Sequence, residues 1–320
     1  MPLRAPASTT GVQPRSPGRP PARGMVWVPG GHFAMGSDHH YPEEAPAHDS
    51  SVAGFWMDRT PVTTADFQKF VKATGHRTQA ERPADPADYP GASAEQLQPA
   101  SIVFVPPSHP VPLDNPHRWW HYVPGANWRH PEGPGSSIKG REQHPVVHIA
   151  YADAEAYAAW AGKALPSERE WERAARGGQP PTEFAWGDSL YPNGRAMANT
   201  WQGHFPHHNS RADGYAGTSP VGVFPANAYG LVDMIGNVWE WTSDWYRAGH
   251  HQADGQGCCR TASIDPRSEH GNMPRKVVKG GSYLCAPEYC RRYRPAARMA
   301  QGIDTSTGHL GFRCVVRPAP

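Results

Sequence analysis

Proline and glycine are so frequent in this chain that they limit the folds it can adopt. The 320 residues include 36 Pro and 33 Gly, and such a density interrupts long helices, which excludes a coiled coil and a helical bundle. The 12 Trp, 12 Tyr and 9 Phe supply large apolar surfaces that a core can bury. We therefore expect a compact fold that is mostly loop, with short helices and strands around aromatic side chains.

The charge pattern argues against nucleic-acid and membrane partners. The formal net charge is +2, and no cluster of Lys and Arg follows residue 24, whereas phosphate binding needs such clusters. No apolar stretch approaches the roughly 18 residues of a membrane-spanning helix. Residues 1–24 contain Arg and Pro but lack the apolar middle of a signal peptide. We expect residues 1–24 to form a flexible tail, residues 25–320 a single domain, and the protein to be cytoplasmic.

Local signals predict three short helices. Thr63 is a good N-cap, and Gly75 ends the helix that follows it. A second helix is expected over residues 153–162. The capping box from Ser167 to Glu170 begins a third helix, which Gly177 stops.

Strands are predicted at several short apolar segments, and one long loop is expected. Two strands with a tight turn between them are predicted at the start of the domain. The segment between about residues 83 and 116 is rich in Pro, Ala and Asp, and this composition predicts a long surface excursion, that is, a loop on the surface of the domain. The predicted strands are residues 26–28, 32–36, 52–58, 144–149, 276–279 and 311–316.

Two cysteines in the C-terminal part of the chain, Cys285 and Cys290, lie five positions apart. Pro287 between them bends the chain, so the two sulfurs can face each other. A disulfide requires Cα atoms within about 7 Å, and zinc requires further ligands, for which no other Cys or His pair is suitably spaced. Two thiolates can also hold Cu(I). Spacing alone favours inert or structural cysteines over a copper site.

The motifs around these cysteines, and others along the chain, resemble the formylglycine-generating enzymes of the sulfatase-modifying factor family. The resemblance covers about residues 25–316 without a missing block. It implies an α+β fold, a single compact C-type-lectin-like/FGE-sulfatase domain with little regular secondary structure. The motifs in the C-terminal part are Gly280–Cys285, Cys290, Arg292–Arg294, Ala296–Arg298 and Gly311–Cys314. Those that precede them are Pro29–Gly31, Thr60–Thr63, His144–Val146, Trp160–Lys163, Leu165–Glu168 and Gly236–Trp241.

The resemblance implies copper-dependent oxidation of a client protein. Cu(I) would be held by Cys285 and Cys290, and the cysteine of a Cys-x-Pro-x-Arg motif in an unfolded or nascent sulfatase would join as a third ligand. Oxygen would then react, a C–H bond of the client cysteine would break, and hydrolysis of the thioaldehyde would give formylglycine. A thiol reductant would be consumed in turnover.

The resemblance also assigns residues around the copper and the client. Ser282, Trp239 and Tyr289 match positions beside the copper and the oxygen site, although Trp239 also fits a plain core position. Client contacts are expected from Ser101, Trp119, Arg294 and His309, and Arg294 also fits a buried ion pair. Ala100 stands where the family has an acidic residue before Ser101.

Two stretches match structural calcium positions of the family. By sequence logic alone, such Asp and Asn residues usually shape turns, but oxygen donors of this kind suit Ca²⁺. The first expected set is Asn199, Thr200, Asp213 and Tyr215, and the second is Asp233, Gly236, Val238 and Glu240.

Three further cysteines, Cys258, Cys259 and Cys314, lie outside this pair. An odd and small number of cysteines favours reduced thiols. We expect an exposed thiol pair at Cys258 and Cys259 and a buried, inert Cys314.

The alternatives to an oxidase of this family are a non-catalytic binding module and an iron-dependent sulfoxide synthase. Modules of that kind usually lack the cysteine pair, and the chain has no room for the synthase's additional helical domain.

Overall fold

Short strands and helices joined by long loops make up the fold, as the composition predicts. The computed structural model describes residues 18–250 and 274–318, so Cys258 and Cys259 lie outside the described residues. The helices are α1 (Thr64–Thr74), α2 (Tyr151–Trp160) and α3 (Glu168–Arg176), with short 3-10 helices at Pro42–Glu44, Gln79–Glu81, Pro116–Arg118 and Pro192–Gly194. The first strands are β1 (Met25–Val28), β2 (Gly31–Met35), β3 (His48–Val52), β4 (Phe55–Asp58), β5 (Ala100–Phe104) and β6 (Trp120–Pro124). The later ones are β7 (Gly203–His204), β8 (His208–Asn209), β9 (Trp239–Trp245), β10 (Arg275–Lys279), β11 (Arg298–Gly302), β12 (Leu310–Gly311) and β13 (Val315–Val316).

The caps that the sequence predicted begin and end helices α1 and α3. The Thr63 side chain accepts a hydrogen bond from the Asp66 N–H, and Gly75 ends α1 in the left-handed conformation. Ser167 forms a complete capping box with Glu170, and Gly177 ends α3 in the same left-handed way. These helix predictions are confirmed.

Two sheets organise the domain, and both join distant parts of the chain. One has three strands in the order β1-β4-β13, and the other has four in the order β11-β10-β9-β12. Strands β2 and β3, β5 and β6, and β7 and β8 form separate two-stranded pairs. Strands β1 and β2 do form where the sequence predicted two strands with a tight turn. They do not pair with each other, because β1 pairs with β4 and β2 with β3.

Two expectations about strands are wrong. Residues 144–149 do not form a strand, since only an isolated bridge joins Pro145 to Thr63 and His148 has a φ of 60°. The expected surface excursion also contains a strand, because β5 pairs with β6 over its whole length. The composition near β5 is that of a loop, but Ala100, Ser101 and Val103 are buried.

Aromatic side chains fill the interior. The main core contains Trp171, Trp239 and Trp241 together with Phe67 and Phe312. A second, smaller cluster contains Trp119, Trp201, Phe205, Leu284 and Ala286. Leu284 and Ala286 flank Cys285, so this second cluster anchors the cysteine segment in the fold.

None of the helices in the described ranges has the length and apolar character that crossing a bilayer requires.

Candidate active site

The two cysteines lie in a loop that follows β10 and starts with two glycines. Gly280 and Gly281 have φ values of 97° and 71°, which favour glycine. A Cβ atom on Gly281 would lie 2.8 Å from the Arg292 carbonyl oxygen. Only glycine therefore allows the loop to lie this close to the backbone beyond Cys290.

The sulfurs of Cys285 and Cys290 are in contact, 3.0 Å apart, and both cysteines are free. The backbone N–H groups of Cys285 and Cys290 donate to the Ser282 and Ala286 carbonyl oxygens, each at 2.9 Å. These turns place both sulfurs on one side of the loop. Cys285 is buried, whereas Cys290 is only half-buried.

The two thiols differ in acidity. Burial and the neighbouring Cys290 raise the pKa of Cys285 well above its ordinary value. The hydrogen bond from Cys285 lowers the pKa of Cys290 to about 7, and the positive charge of Arg292 contributes in the same direction. Cys290 is therefore the thiolate of the pair near neutral pH.

Arg292 is fixed by the segment that follows β2. Its guanidinium bonds the Glu43 carboxylate at 2.5 Å and lies 3.8 Å from the centre of the Tyr41 ring. Arg292 lines the same cavity as the cysteines. A residue 249 positions away in sequence thus holds a positive charge beside the thiolate.

The cysteine sulfurs lie against a cavity of about 430 Å³, which we name the cysteine cavity. Besides the cysteine pair, the site residues predicted from the sequence that line it are Ser282, Trp239, Tyr289 and His309. The other wall residues are Ile102, Pro116, His117, Trp120, Phe205, Leu284, Arg292, Met299, Gln301, Thr305 and Thr307.

Stacked aromatic rings form one wall of the cysteine cavity. The Tyr289 ring lies parallel to that of Phe205, with centroids 4.4 Å apart. Trp119 contacts Tyr289 edge-on at 5.4 Å and is fully buried behind it. His309 also lines the cavity; its Nδ1 lies 2.6 Å from the Thr307 hydroxyl, and its ring contacts Trp120.

Trp119, Ser101 and Arg294 do not line the cysteine cavity, although the sequence reading placed them on the client's path. Trp119 supports the wall from behind, and its neighbour Trp120 faces the cavity. Ser101 is buried, and its hydroxyl lies 2.6 Å from His148 Nδ1. Ser101 lines a neighbouring cavity instead.

The sequence allowed Arg294 either a client contact or a buried ion pair, and the structure places it in a buried ion pair. Its guanidinium bonds both oxygens of the Glu44 carboxylate, at 2.7 and 2.5 Å. Both side chains are 1% exposed or less. The pair ties the residues beyond Cys290 to the segment beyond β2.

The first expected calcium set has an unsatisfied carboxylate oxygen. Asp213 Oδ1 accepts the Tyr215 N–H at 2.9 Å, whereas Asp213 Oδ2 is buried without a partner among the described residues. Burial raises the pKa of Asp213. The Asn199 amide nitrogen donates to Gly217 O at 2.9 Å. These oxygen donors fit a hard cation.

The carboxylates of the second expected calcium set already bond to other groups of the protein. Both carboxylate oxygens of Glu240 bond Arg313 at 2.7 Å, and one also accepts from Trp171 at 2.8 Å. Asp233 accepts the Gly222 N–H at 2.6 Å, and burial raises its pKa to about 6. Within residues 18–250 and 274–318, no group of three or more His, Cys, Asp or Glu side chains is arranged to hold a metal ion.

Four residues in the wall of the cysteine cavity that matter to the chemistry were not predicted from the sequence. They are Trp120, Phe205, Arg292 and Thr307. Arg292 was readable, because it stands two positions beyond Cys290 in the quoted Arg-Tyr-Arg motif. Phe205 and Trp120 had no local signal, since loops distant in sequence bring them to the site.

Comparison with known proteins identifies the family. The model of the sulfatase-modifying factor enzyme 1-like domain matches residues 11–318. The chain belongs to this family. A formylglycine-generating enzyme from Mycobacterium tuberculosis is 54% identical over 296 residues, which cover 92% of this chain and 98% of the relative. The formylglycine-generating enzyme of Mus musculus is 44% identical, and the match covers 99% of this chain and 80% of the relative.

A solved structure supports the same fold for this member of the sulfatase-modifying factor family. PvdO from Pseudomonas aeruginosa superimposes with a TM-score of 0.61 at 25% sequence identity, covering 91% of this chain and 93% of PvdO. The expected fold class is confirmed: a mixed α/β domain of the sulfatase-modifying type with few helices.

Proposed function

We propose that this chain is an oxidase that converts the cysteine of a Cys-x-Pro-x-Arg motif in sulfatase polypeptides into formylglycine. The observation that carries the proposal is the contact of the Cys285 and Cys290 sulfurs at a cavity, 3.0 Å apart. The chain that holds this pair is 54% identical to a relative named formylglycine-generating enzyme.

The pair also supports Cu(I) as the cofactor. Thiolates are the soft ligands that Cu(I) prefers, and two of them suffice to hold it. Cys285 and Cys290 would hold the ion, which when bound supplies the one-electron chemistry that the reaction with oxygen requires. Cys290 is suited to ligation near neutral pH because its pKa lies at about 7.

The reaction balances with a thiol reductant. One client cysteine, one molecule of dioxygen and two reductant thiols give one aldehyde, one hydrogen sulfide, one disulfide and one water. The client carbon loses a C–H bond and its C–S bond and gains a C=O bond. Dioxygen and the client are therefore the partners that the site must admit, and the reductant must reach it in each turnover.

The walls of the cysteine cavity have separate roles in this reaction. Trp239, Tyr289 and Phe205 provide an apolar surface that excludes bulk water from the reacting carbon. Burial lowers the pKa of His309 to about 3, so its ring is neutral near neutral pH. One ring nitrogen is bonded to Thr307, and the other can bond a peptide group of the client.

We further propose a structural Ca²⁺ at the set formed by Asn199, Thr200, Asp213 and Tyr215. The buried Asp213 Oδ2 without a partner among the described residues supports it, because an isolated buried carboxylate is unfavourable. The set of Asp233, Gly236, Val238 and Glu240 is a weaker candidate. A cation there would compete with Arg313 for the Glu240 carboxylate.

We also propose a cytoplasmic location, with a nascent or unfolded sulfatase as the client. Cys285, Cys290 and Cys314 are all free thiols, which is usual in reducing compartments.

The test is direct conversion of a peptide. Purified protein loaded with Cu(I), supplied with dioxygen and a thiol, should convert a Cys-x-Pro-x-Arg peptide with the loss of mass that aldehyde formation requires. Cys285→Ala and Cys290→Ala should each abolish turnover, whereas the matched control Cys314→Ala, at a buried free thiol in the core, should retain it. No conversion by the wild type under these conditions would refute the proposed function.

A further inference from the structure

A cavity with three histidines in its wall lies apart from the thiol pair and has no part in the proposed function. Its volume is about 600 Å³, within the range of small-molecule sites. We name it the histidine cavity after His144, His207 and His208, which line it. No described residue lines both this cavity and the cysteine cavity. The two cavities therefore have separate walls.

A layer of aromatic rings separates the two cavities. Phe104 and Trp201 line the histidine cavity. Their rings contact that of Phe205, which lines the cysteine cavity, with centroids 5.9 and 5.2 Å apart. A molecule in the histidine cavity would lie on the far side of this layer from the cysteine sulfurs. Neither a client cysteine nor a reductant thiol could react from there.

Basic side chains dominate the charged part of the wall. Arg141 and Arg211 line the histidine cavity together with the three histidines. Of the described residues in the wall, Glu132 alone is acidic, and its carboxylate pairs with Arg141 at 2.5 Å. Arg211 is exposed, and no carboxylate of the described chain pairs with it. The positive charge of Arg211 is therefore uncompensated within residues 18–250 and 274–318.

Two ring nitrogens of wall residues have no hydrogen-bond partner. Trp201 is 3% exposed, and its Nε1 is buried without a partner among the described residues. His207 Nδ1 is buried in the same way. An indole N–H can only donate, and a buried donor without an acceptor is unfavourable. The wall therefore lacks an acceptor that a ligand could supply.

The electrostatics at His144 agree with this charge pattern. Its ring is half-buried, and its Nδ1 lies 2.9 Å from the Thr218 hydroxyl. Burial lowers the pKa of His144, and the positive charge of Arg141 lowers it further. An anion between these two side chains would offset the unfavourable field of the arginine.

We propose that the histidine cavity binds a small organic anion, with its phosphate, sulfate or carboxylate group at Arg141 and Arg211 and its apolar body against the aromatic layer. A guanidinium can bond such a group through two parallel hydrogen bonds. Phe104, Trp201 and Tyr283 offer apolar surface to the rest of the molecule. This inference does not depend on the proposed function.

Calorimetric titration of the purified chain with phenyl phosphate tests the proposal. The protein should bind one equivalent at least about tenfold more tightly than it binds benzyl alcohol, a neutral molecule of similar size. Inorganic phosphate should bind more weakly than phenyl phosphate, because it makes no contact with the aromatic layer. Phenyl sulfate and benzoate, titrated in the same way, rank the three anionic groups. Equal affinity for phenyl phosphate and benzyl alcohol would overturn the proposal.

A double variant, Arg211→Gln with His208→Gln, assigns the binding to this cavity. Both side chains are exposed, so the melting temperature without ligand should change little. The affinity for phenyl phosphate should fall about tenfold. Arg195→Gln is the matched control, because Arg195 is also exposed but does not line the cavity, and it should bind like the wild type. A double variant that both melts and binds like the wild type would contradict the assignment.

Competition with the client motif shows whether the site is separate from the reaction. A saturating Cys-x-Pro-x-Arg peptide with serine in place of cysteine should leave the affinity for phenyl phosphate unchanged. Displacement of phenyl phosphate by this peptide would refute a separate anion site, since the client would then be the occupant. Because the readout is binding, the result is the same whether or not the wild type converts a cysteine peptide.

Discussion

Replacing Glu44 by Gln should destabilise the fold far more than removing an exposed carboxylate does. Glu44 and Arg294 are 1% exposed or less and share two hydrogen bonds of 2.7 and 2.5 Å. Glutamine keeps the shape but leaves the guanidinium buried without a counter-charge. Breaking a buried pair in this way costs about 3–5 kcal/mol.

The expected change in melting temperature follows from the size of the fold. An unfolding entropy of about 2.1 cal/mol/K per residue amounts to roughly 0.6 kcal/mol/K for a domain of this length. Glu44→Gln should therefore lower Tm by about 5–8 °C. Glu132→Gln is the matched control, because Glu132 pairs with Arg141 at 2.5 Å but both side chains are at least 40% exposed. Its effect should stay below about 1 kcal/mol.

A double variant separates the ion pair from other effects of the substitution. Glu44→Gln with Arg294→Met removes both charges, so its loss of unfolding free energy should be smaller than the sum of the two single losses. Calorimetry or denaturant titration of the four proteins measures this. A Glu44→Gln protein that melts within about 1 °C of the wild type would refute the reasoning, as would strict additivity of the two single losses.

Three further predictions concern pH, backbone and calcium. Burial lowers the pKa of His148 from 6.5 to about 4, so the unfolded chain takes up the proton first. Unfolding free energy should therefore fall by about 3 kcal/mol from this group as pH drops from 6.5 to 4, and a His148→Gln variant with an unchanged pH slope would contradict this. Gly281→Ala should reduce turnover strongly, because its Cβ would lie 2.8 Å from the Arg292 carbonyl oxygen and displace the cysteine loop; wild-type kcat would disprove this. A calcium chelator should lower the Tm of the wild type but not that of Asp213→Asn, and equal shifts in both would exclude calcium at Asp213.

The helices could be predicted from the sequence because the residues that begin and end them act locally. The caps at Thr63 and Ser167 and the stops at Gly75 and Gly177 each act within one turn of the helix they bound. The strand partners were not readable in the same way. Strand β1 pairs with β4 rather than with the adjacent β2, and no nearby residue specifies that choice.

The same distinction between local and long-range signals applies to the candidate site. The cysteine pair lies in a continuous motif, so the resemblance located it. The wall was harder to predict, because Trp119 and Trp120 are neighbours and only one of them faces the cavity. Trp119 ends the 3-10 helix that precedes β6, and Trp120 is the first residue of β6, so the direction of the Trp120 side chain depends on the pairing of β6 with β5. Sequence alone did not show that a strand lay there.

A parallel bridge joins Ile102 to Thr307, and the three-stranded sheet joins β4 to β13. Contacts between residues this far apart give the domain a high contact order, which slows folding because loop entropy is lost before the pairing is gained. During synthesis on a ribosome, β4 could pair with β13 only after the C-terminal residues had emerged. The walls of the cysteine cavity come from residues 102 to 309, so a partly synthesised chain that ends before residue 309 would lack part of the site.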